Sequence, residues 1–530
     1  MEQEYVVTLK KDCDPSEFFD QMTKDTSGLK NSDTSLASIP DKPIDWVDKR
    51  PGSKRNTEYA LSHLEAAELR NDSRVLDVQL KQEILNMPVT TLGKYEDAQF
   101  HRTSGGSDIK NWGLRSCSYT NNTDAFGGVN STSITADHDY ALDGTGVDVV
   151  IIDTGITAGH PEYTVNPDGT GGSRIQEIDW YTESGISGSQ NANFYSDQNG
   201  HGSHVAGTAA GNTHGWARGA DIYAMATLSN TYAISSYTCF ELIRGWHNNK
   251  SGPNAGRPTV CNNSWSYYTN ALQPVYGNYR GTDWTYEYTG SHGDWGAGSY
   301  TGSDWPSPAE LENRGIGVSS THGNFVSSID ADVQDCIDDG IIMYNAAGNN
   351  KYVIVGSGHI DYNNWYFDKY YNSIKYYHRG GTPTTSTANI GLVGNVEGSY
   401  LSSGGTWYEQ TRYSSTKGAR LHIWAPGSNI MSPYISGYND PRNSSYKVTA
   451  LSGTSMASPQ VTGVIACMLQ LHPTWTQDDA NQWLIDEGIA NRLYSTGLDD
   501  DYNNDDSICG APNRYLRMPY IEPYHSMITS

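Results

Sequence analysis

The sequence predicts an α/β protein: a doubly wound, mostly parallel sheet preceded by a small α/β unit. Three observations carry that expectation. Short apolar runs recur at 147–152, 222–225, 259–261, 341–344, 390–393 and 421–424, the signature of strands buried on both faces. Helical patterns separate several of them, the alternation that a parallel sheet with crossover helices requires. The first hundred residues carry a separate set of strand and helix signals.

Along the chain, Tyr5-Val6-Val7-Thr8-Leu9 reads as a strand, and Asp14-Pro15-Ser16-Glu17 as a helix start with a cap, a proline in the first turn and an early carboxylate. A polar stretch over 26–55 reads as loop. Ser62-His63-Leu64-Glu65 is a capping box opening a helix over 64–69, and 75–80 reads as a further strand. The stretch 88–106 reads as an exposed linker. The larger pattern begins near Trp112. Two Tyr-, Trp- and Gly-rich stretches, 267–322 and 352–387, show no clear period and read as loop insertions. The predicted division is 1–100 and 101–530.

Composition narrows the function. The chain has 530 residues, and 35 Lys and Arg against 60 Asp and Glu leave a formal charge of −25. That balance argues against a nucleic-acid partner, because phosphate binding rests on Lys and Arg. No apolar run approaches the roughly 20 residues of a membrane span. Met1-Glu2-Gln3-Glu4-Tyr5 has neither a basic nor an apolar leader region, so no secretory signal is expected as the sequence is written. The expected location is the cytoplasm or a virion, or outside the cell if the true start lies upstream. The 7 cysteines are scattered, with no CxxC pair, which fits free thiols better than a disulfide framework or a zinc site.

Three segments carry candidate chemistry. Ile151-Ile152-Asp153-Thr154-Gly155 puts an Asp at the C-terminal end of a buried strand, the edge where functional groups gather in open α/β sheets. Asp-Thr-Gly also occurs in aspartic proteases, and an Asp there is often a turn residue. Gly200-His201-Gly202-Ser203-His204 puts a His between glycines at a helix start, open to close approach and suited to a general base. A metal reading of His201 and His204 lacks the Glu and further His of zincin spacing. Ser452-Gly453-Thr454-Ser455-Met456-Ala457 precedes a helix whose Val461, Val464, Ile465, Met468 and Leu469 follow a helical period, so Ser455 sits at a helix N-terminus that favours developing negative charge. An ordinary N-cap serine is the plain alternative.

The order Asp, His, Ser is the one known for subtilisin among triad enzymes, and the three segments together resemble the active-site signatures of the subtilisin-like serine proteases. No second lobe carries the matching Asp-Ser/Thr-Gly of an aspartic protease. The resemblance implies a subtilisin-like fold, with Asp153, His201 and Ser455 as a catalytic triad hydrolysing peptide bonds of a protein or peptide substrate. Ala346-Ala347-Gly348-Asn349-Asn350 is similar to the segment bearing the oxyanion-hole Asn, here Asn349. Thr259-Val260-Cys261-Asn262-Asn263-Ser264, continuing into Trp265, resembles the strand lining the substrate cleft, so Asn262, Ser264, Trp265, Ala347 and Gly348 are expected along the cleft. Asn111-Trp112-Gly113 resembles the start of a mature subtilase, 421–427 the strand before the nucleophile, and 510–514 the closing segment. The short link 211–220 resembles the proteinase K branch. Gln460 stands where the family usually has His, and Trp265-Ser266 where it often has Leu-Gly.

The first hundred residues resemble the family's inhibitor-type propeptide, which implies a ferredoxin-like domain that blocks the cleft of a self-inhibited zymogen. Family spacing to Trp112 places processing between Tyr95 and Gly106. The resemblance implies no cofactor for the chemistry, with structural calcium common in the family. Glu397 is the candidate ligand, and the Asp499-Asp500-Asp501 and Asp505-Asp506 run a weaker one. A structural or virion assembly protein that keeps the fold is the competing expectation.

Overall fold

The structure, a computed structural model, describes residues 2–10, 13–26, 29–30, 36–48, 55–81, 93–228, 231–270, 274–285, 321–323, 326–368, 374–376, 389–495 and 507–519. The chain divides into two compact units, Met1–Thr90 and Thr91–Ser530.

In the first unit the strand Gln3–Leu9 lies between Asn56–Leu61 and Val75–Leu80, antiparallel to both, and Trp46–Asp48 extends the sheet beyond Asn56–Leu61. Asp14 accepts the Ser16 N–H (2.8 Å) and starts the helix Pro15–Thr23. The capping box forms as the sequence requires. Ser62 Oγ accepts the Glu65 N–H (3.3 Å), the Glu65 carboxylate accepts the Ser62 N–H (2.7 Å), and the helix His63–Leu69 follows. Phe18, Met22, Ala66 and Leu69 from the helices join Tyr5, Val7 and Leu61 from the strands in one core.

The second unit is built on a nine-stranded sheet. Its order is Ile489–Ala490, Arg514–Tyr515, Ile423–Pro426, Gly391–Ser403, Ile342–Ala346, Thr259–Asn263, Asp148–Asp153, Asp221–Ala226, with Thr406–Thr411 paired to Gly391–Ser403. The pairs from Arg514–Tyr515 through Asp221–Ala226 are parallel, and the Ile489–Ala490 and Thr406–Thr411 pairs are antiparallel. Every residue of Asp148–Asp153 is buried, as expected of a strand covered on both faces. The helix Thr454–Leu471 packs across the central strands and is buried along almost its whole length.

Two expectations change. The stretch 88–106 is not an exposed linker. Gly93–His101 is a strand, antiparallel to Ser133–Tyr140 and parallel to Ile109–Lys110, with Phe100 in the core of the second unit. Arg102 follows it with no exposed surface. It makes two hydrogen bonds to the Glu409 carboxylate (2.8 and 3.1 Å) and further bonds to Ser116 and Asn122. Its guanidinium carbon lies 4.4 Å from the Trp112 ring and 4.6 Å from those of Phe126 and Tyr400. Residues 88–92 lie outside those described.

The two insertions are also not simple loops. Thr282–Thr285, Pro274–Tyr279, Trp365–Asp368 and Ile374–Tyr376 form one antiparallel sheet drawn from both stretches. Tyr366 is buried against Tyr279 and Trp284, and Arg280 pairs in bidentate fashion with Asp361 (both 2.8 Å). Tyr and Trp stand on both faces of these strands, which hid the alternation that marks a half-buried strand. Most of 286–320 and 369–388 lies outside the described residues.

Candidate active site

Three strand ends of the parallel sheet deliver the candidate residues to one edge. Asp153 is the last residue of its strand and is fully buried. His201 opens the helix His201–Ala210, with Gly200 as its cap at φ +91°. Glycine is needed on both sides of that His. A Cβ on Gly202 would lie 2.2 Å from the Gly155 carbonyl oxygen, so only glycine lets the helix start close on the strand end. The outcome is a 2.8 Å hydrogen bond between His201 Nδ1 and Asp153 Oδ1, with the imidazole 28% exposed.

Asp197 was not singled out from sequence. Its carboxylate accepts from Gly200 N–H (2.7 Å), Ser203 N–H (3.0 Å) and Thr154 Oγ (3.0 Å), tying the helix start to the turn after Asp153. An Asp three residues before a glycine cap was the signal available. Burial works against the His201 cation, but the Asp153 carboxylate and, more weakly, Asp197 outweigh it and raise the imidazole pKa above its ordinary value.

The nucleophile candidate is fixed by a chain of backbone logic. Ser455 is the second residue of Thr454–Leu471, so its own N–H has no partner within the helix. Pro459 lies four residues on and has no N–H, so it cannot bond the Ser455 carbonyl. The Ser264 hydroxyl takes that place, donating to the Ser455 carbonyl at 3.0 Å. Ser264 follows the strand Thr259–Asn263, the neighbour of the Asp153 strand. In this state the Ser455 hydroxyl donates to the Ser264 carbonyl (3.1 Å) and is not bonded to His201. Release of that one bond frees it to turn to the base.

Asn349 follows the strand Ile342–Ala346 and is exposed. Its Oδ1 accepts the Thr454 N–H (2.9 Å) and the Thr454 hydroxyl (3.2 Å). The Gly348 N–H donates to that same hydroxyl (3.0 Å). With the oxygen side of the amide so engaged, Nδ2 is left to donate. Thr454, a residue the sequence did not single out, therefore sets the amide orientation. A nucleophilic hydroxyl, an oriented imidazole and two donors, Asn349 Nδ2 and Ser455 N–H, are what acyl transfer through an oxyanion requires.

Other expected positions divide. Ser264, Ala347 and Gly348 lie at the same edge. Asn262 does not face a cleft. It is fully buried, donating to Ser264 Oγ (2.8 Å) and accepting from Ser458 (2.8 Å) and Thr462 (3.1 Å), so it ties its strand to the long helix. The Trp265 ring is also buried, 6.4 Å from Phe240 and 5.2 Å from Tyr267 between centroids. Gln460 is structural, bonding Trp216 Nε1 (2.7 Å) and both atoms of the Asn111 amide. His204 is buried, its Nε2 lying against the Ile430 (2.9 Å) and Thr449 (3.1 Å) carbonyls, and burial first, then His201, push its pKa down to about 3. It stays neutral, and that nitrogen is already engaged.

The residues at Glu397 do not fit calcium. Its carboxylate is paired with Arg412 at 2.5 Å, and among the described residues no group of three or more His, Cys, Asp or Glu could hold a metal. The Asp499-Asp506 run lies outside the described residues.

A family model described as the subtilase family matches residues 144–511, which include every candidate above. The chain is 26% identical over 299 residues to the subtilase-type proteinase isp6 of Schizosaccharomyces pombe, covering 56% of this chain and 43% of that one. It is 24% identical over 358 residues to an extracellular serine proteinase of a Thermus species, covering 68% and 59%. It is 24% identical over 527 residues to an alkaline proteinase of Hapsidospora chrysogena, covering 97% and 90%. The chain thus spans about half the length of the first two relatives.

Proposed function

This chain belongs to the subtilase family, and from that premise we propose that it is a serine endopeptidase made as a self-inhibited zymogen. The observation that carries the reading is the 2.8 Å Asp153–His201 pair at the sheet edge that also presents Ser455 and the oriented Asn349 amide. Ser455 Oγ attacks a peptide carbonyl carbon as its proton passes to His201 Nε2. Asp153 holds the ring and stabilises the imidazolium. The oxyanion is received by Asn349 Nδ2 and the Ser455 N–H. Collapse expels the amine, which takes the proton from His201 and leaves an acyl-enzyme. Water, deprotonated by His201, then releases the acid. No step needs a metal or cofactor from outside the chain.

The N-terminal unit is the proposed inhibitor-type prosegment. Its strand–helix–strand–strand–helix–strand order, with Gln3–Leu9 central in an antiparallel sheet, supports a ferredoxin-like reading. The processing window follows from Arg102. A cut between 95 and 101 would break the strand Gly93–His101, and a cut between 102 and 106 would sever that strand and Arg102, which is paired with the buried Glu409, from the rest of the second unit. We therefore place maturation on the N-terminal side of Gly93, with 93–110 retained as an arm of the mature enzyme.

One experiment tests both statements. The purified chain and its Ser455→Ala variant are treated with a fluorophosphonate probe, and the intact masses are read. Labelling only in the wild type, on a processed chain that has lost the first unit's strand Gln3–Leu9 and begins at or before Gly93, is expected. A labelled chain beginning between 95 and 106 removes the retained arm and leaves the protease. No labelling in any processed form favours a structural role on this fold.

A further inference from the structure

We propose that Tyr434 and Ile435 form an apolar subsite for the substrate residues just beyond the scissile bond. The inference rests on the protease reading and deepens it to a substrate class: chains with bulky apolar residues on the leaving side of the cut.

The placement comes from how one hairpin lies against the helix of His201. The strand Ile430–Tyr434 pairs with Asn443–Leu451, whose end leads directly into Ser455. Ser432 Oγ donates to the His204 carbonyl (2.8 Å), and His204 Nε2 lies against the Ile430 and Thr449 carbonyls, so the hairpin is fastened along that helix. The Tyr434 ring meets His204 edge-on at 6.4 Å between centroids. At the helix start the contact is closest. A Cβ on Gly200 would lie 2.8 Å from Tyr434 Cε2 and 2.9 Å from Ile435 Cγ1. Both side chains therefore abut the residue preceding His201, and this packing, together with φ +91°, is why that residue is glycine.

Chemistry decides what passes this spot. His201 returns its proton to the departing amine, so the chain attached to that amine leaves on the His201 side of the nucleophile. On that side, Tyr434 and Ile435 are the side chains packed closest around Gly200. Ile435 is 50% exposed, and Tyr438, beyond the Ile435-Ser436-Gly437 turn, is 47% exposed. A β-branched aliphatic residue left half in water beside the catalytic base offers apolar area that a substrate side chain can cover. Covering roughly half of such a side chain corresponds to about fivefold in kcat/KM.

The test uses internally quenched peptides with one acyl side and either Leu-Phe or Ser-Gly immediately after the cut. A nitroanilide with the same acyl side has no residues beyond the bond and serves as the internal reference. Wild-type enzyme is expected to prefer Leu-Phe over Ser-Gly by about fivefold or more. Ile435→Ser is expected to collapse that preference, lowering the ratio of Leu-Phe peptide to anilide turnover, and Ile435→Leu to restore it. An unchanged ratio in Ile435→Ser, or no wild-type preference, overturns the subsite while anilide hydrolysis preserves the protease. Absence of anilide hydrolysis and of probe labelling overturns both.

Discussion

Removing the Asn349 amide isolates the transition-state donor. Asn349 is exposed, so Asn349→Ala leaves the packing of the second unit in place. Its Oδ1 is held by the Thr454 N–H and hydroxyl at 2.9 and 3.2 Å, so the amide arrives with Nδ2 already presented. A side-chain oxyanion donor of this kind is worth about 2.7–4 kcal/mol in a subtilisin, which corresponds to roughly 10²–10³ in kcat. The donor meets a charge that exists only after attack, so KM should stay within about twofold. Thr454→Val leaves the backbone bond to Oδ1 but removes the hydroxyl that also accepts the Gly348 N–H. An intermediate loss of about tenfold in kcat is expected, on the order of one net hydrogen bond. The assay is steady-state cleavage of a peptide nitroanilide, normalised by active-site titration. An unchanged kcat in Asn349→Ala, or a loss confined to KM, would refute the assignment.

Two further predictions follow from the buried charges. The reaction needs neutral His201, and the Asp153 and Asp197 carboxylates raise its pKa against the effect of burial. The acid limb of kcat/KM should therefore lie above the ordinary His value of about 6.5, and Asp197→Asn should move it down; a limb that stays put in the variant contradicts the electrostatic role. For stability the pH dependence runs the other way: the pair's contribution is full below the unfolded-state pKa and fades as pH rises through the higher folded-state value. Arg102→Met, made in the Ser455→Ala background to prevent self-digestion, leaves the buried Glu409 with Arg492 alone, at 2.9 Å. Breaking such a pair costs about 3–5 kcal/mol, or roughly 3–5 °C in Tm for a unit the size of Thr91–Ser530. A Tm within 1 °C or so of the parent would show that the ion pair is not holding the arm.

The candidate triad was legible because each member sits in a local motif whose neighbours are constrained by contact or covalent chemistry. Gly202 must lack a side chain to let the His201 helix touch Gly155. Pro459 must leave the Ser455 carbonyl open. The central sheet was legible for a similar reason, since a strand covered on both faces needs an unbroken apolar run. The first unit's capping box could be read within four residues, because both its bonds close within them.

What tertiary structure alone decided are the partners brought from far along the chain. Arg102 and Glu409 are 307 positions apart, and Asn349 and Thr454 are 105 apart. The Tyr434–Ile435 ledge reaches Gly200 only because the hairpin lies on the helix. The two insertions become one sheet only when Trp365–Asp368 pairs with Pro274–Tyr279. Period, capping and turn chemistry act within about a helical turn or a hairpin, so a sequence reading sees them. Pairings across hundreds of residues are settled by packing and charge burial in the folded chain, and no local pattern records them. The sequence alone thus determined which residues carry the proposed chemistry. The fold decided what orients them.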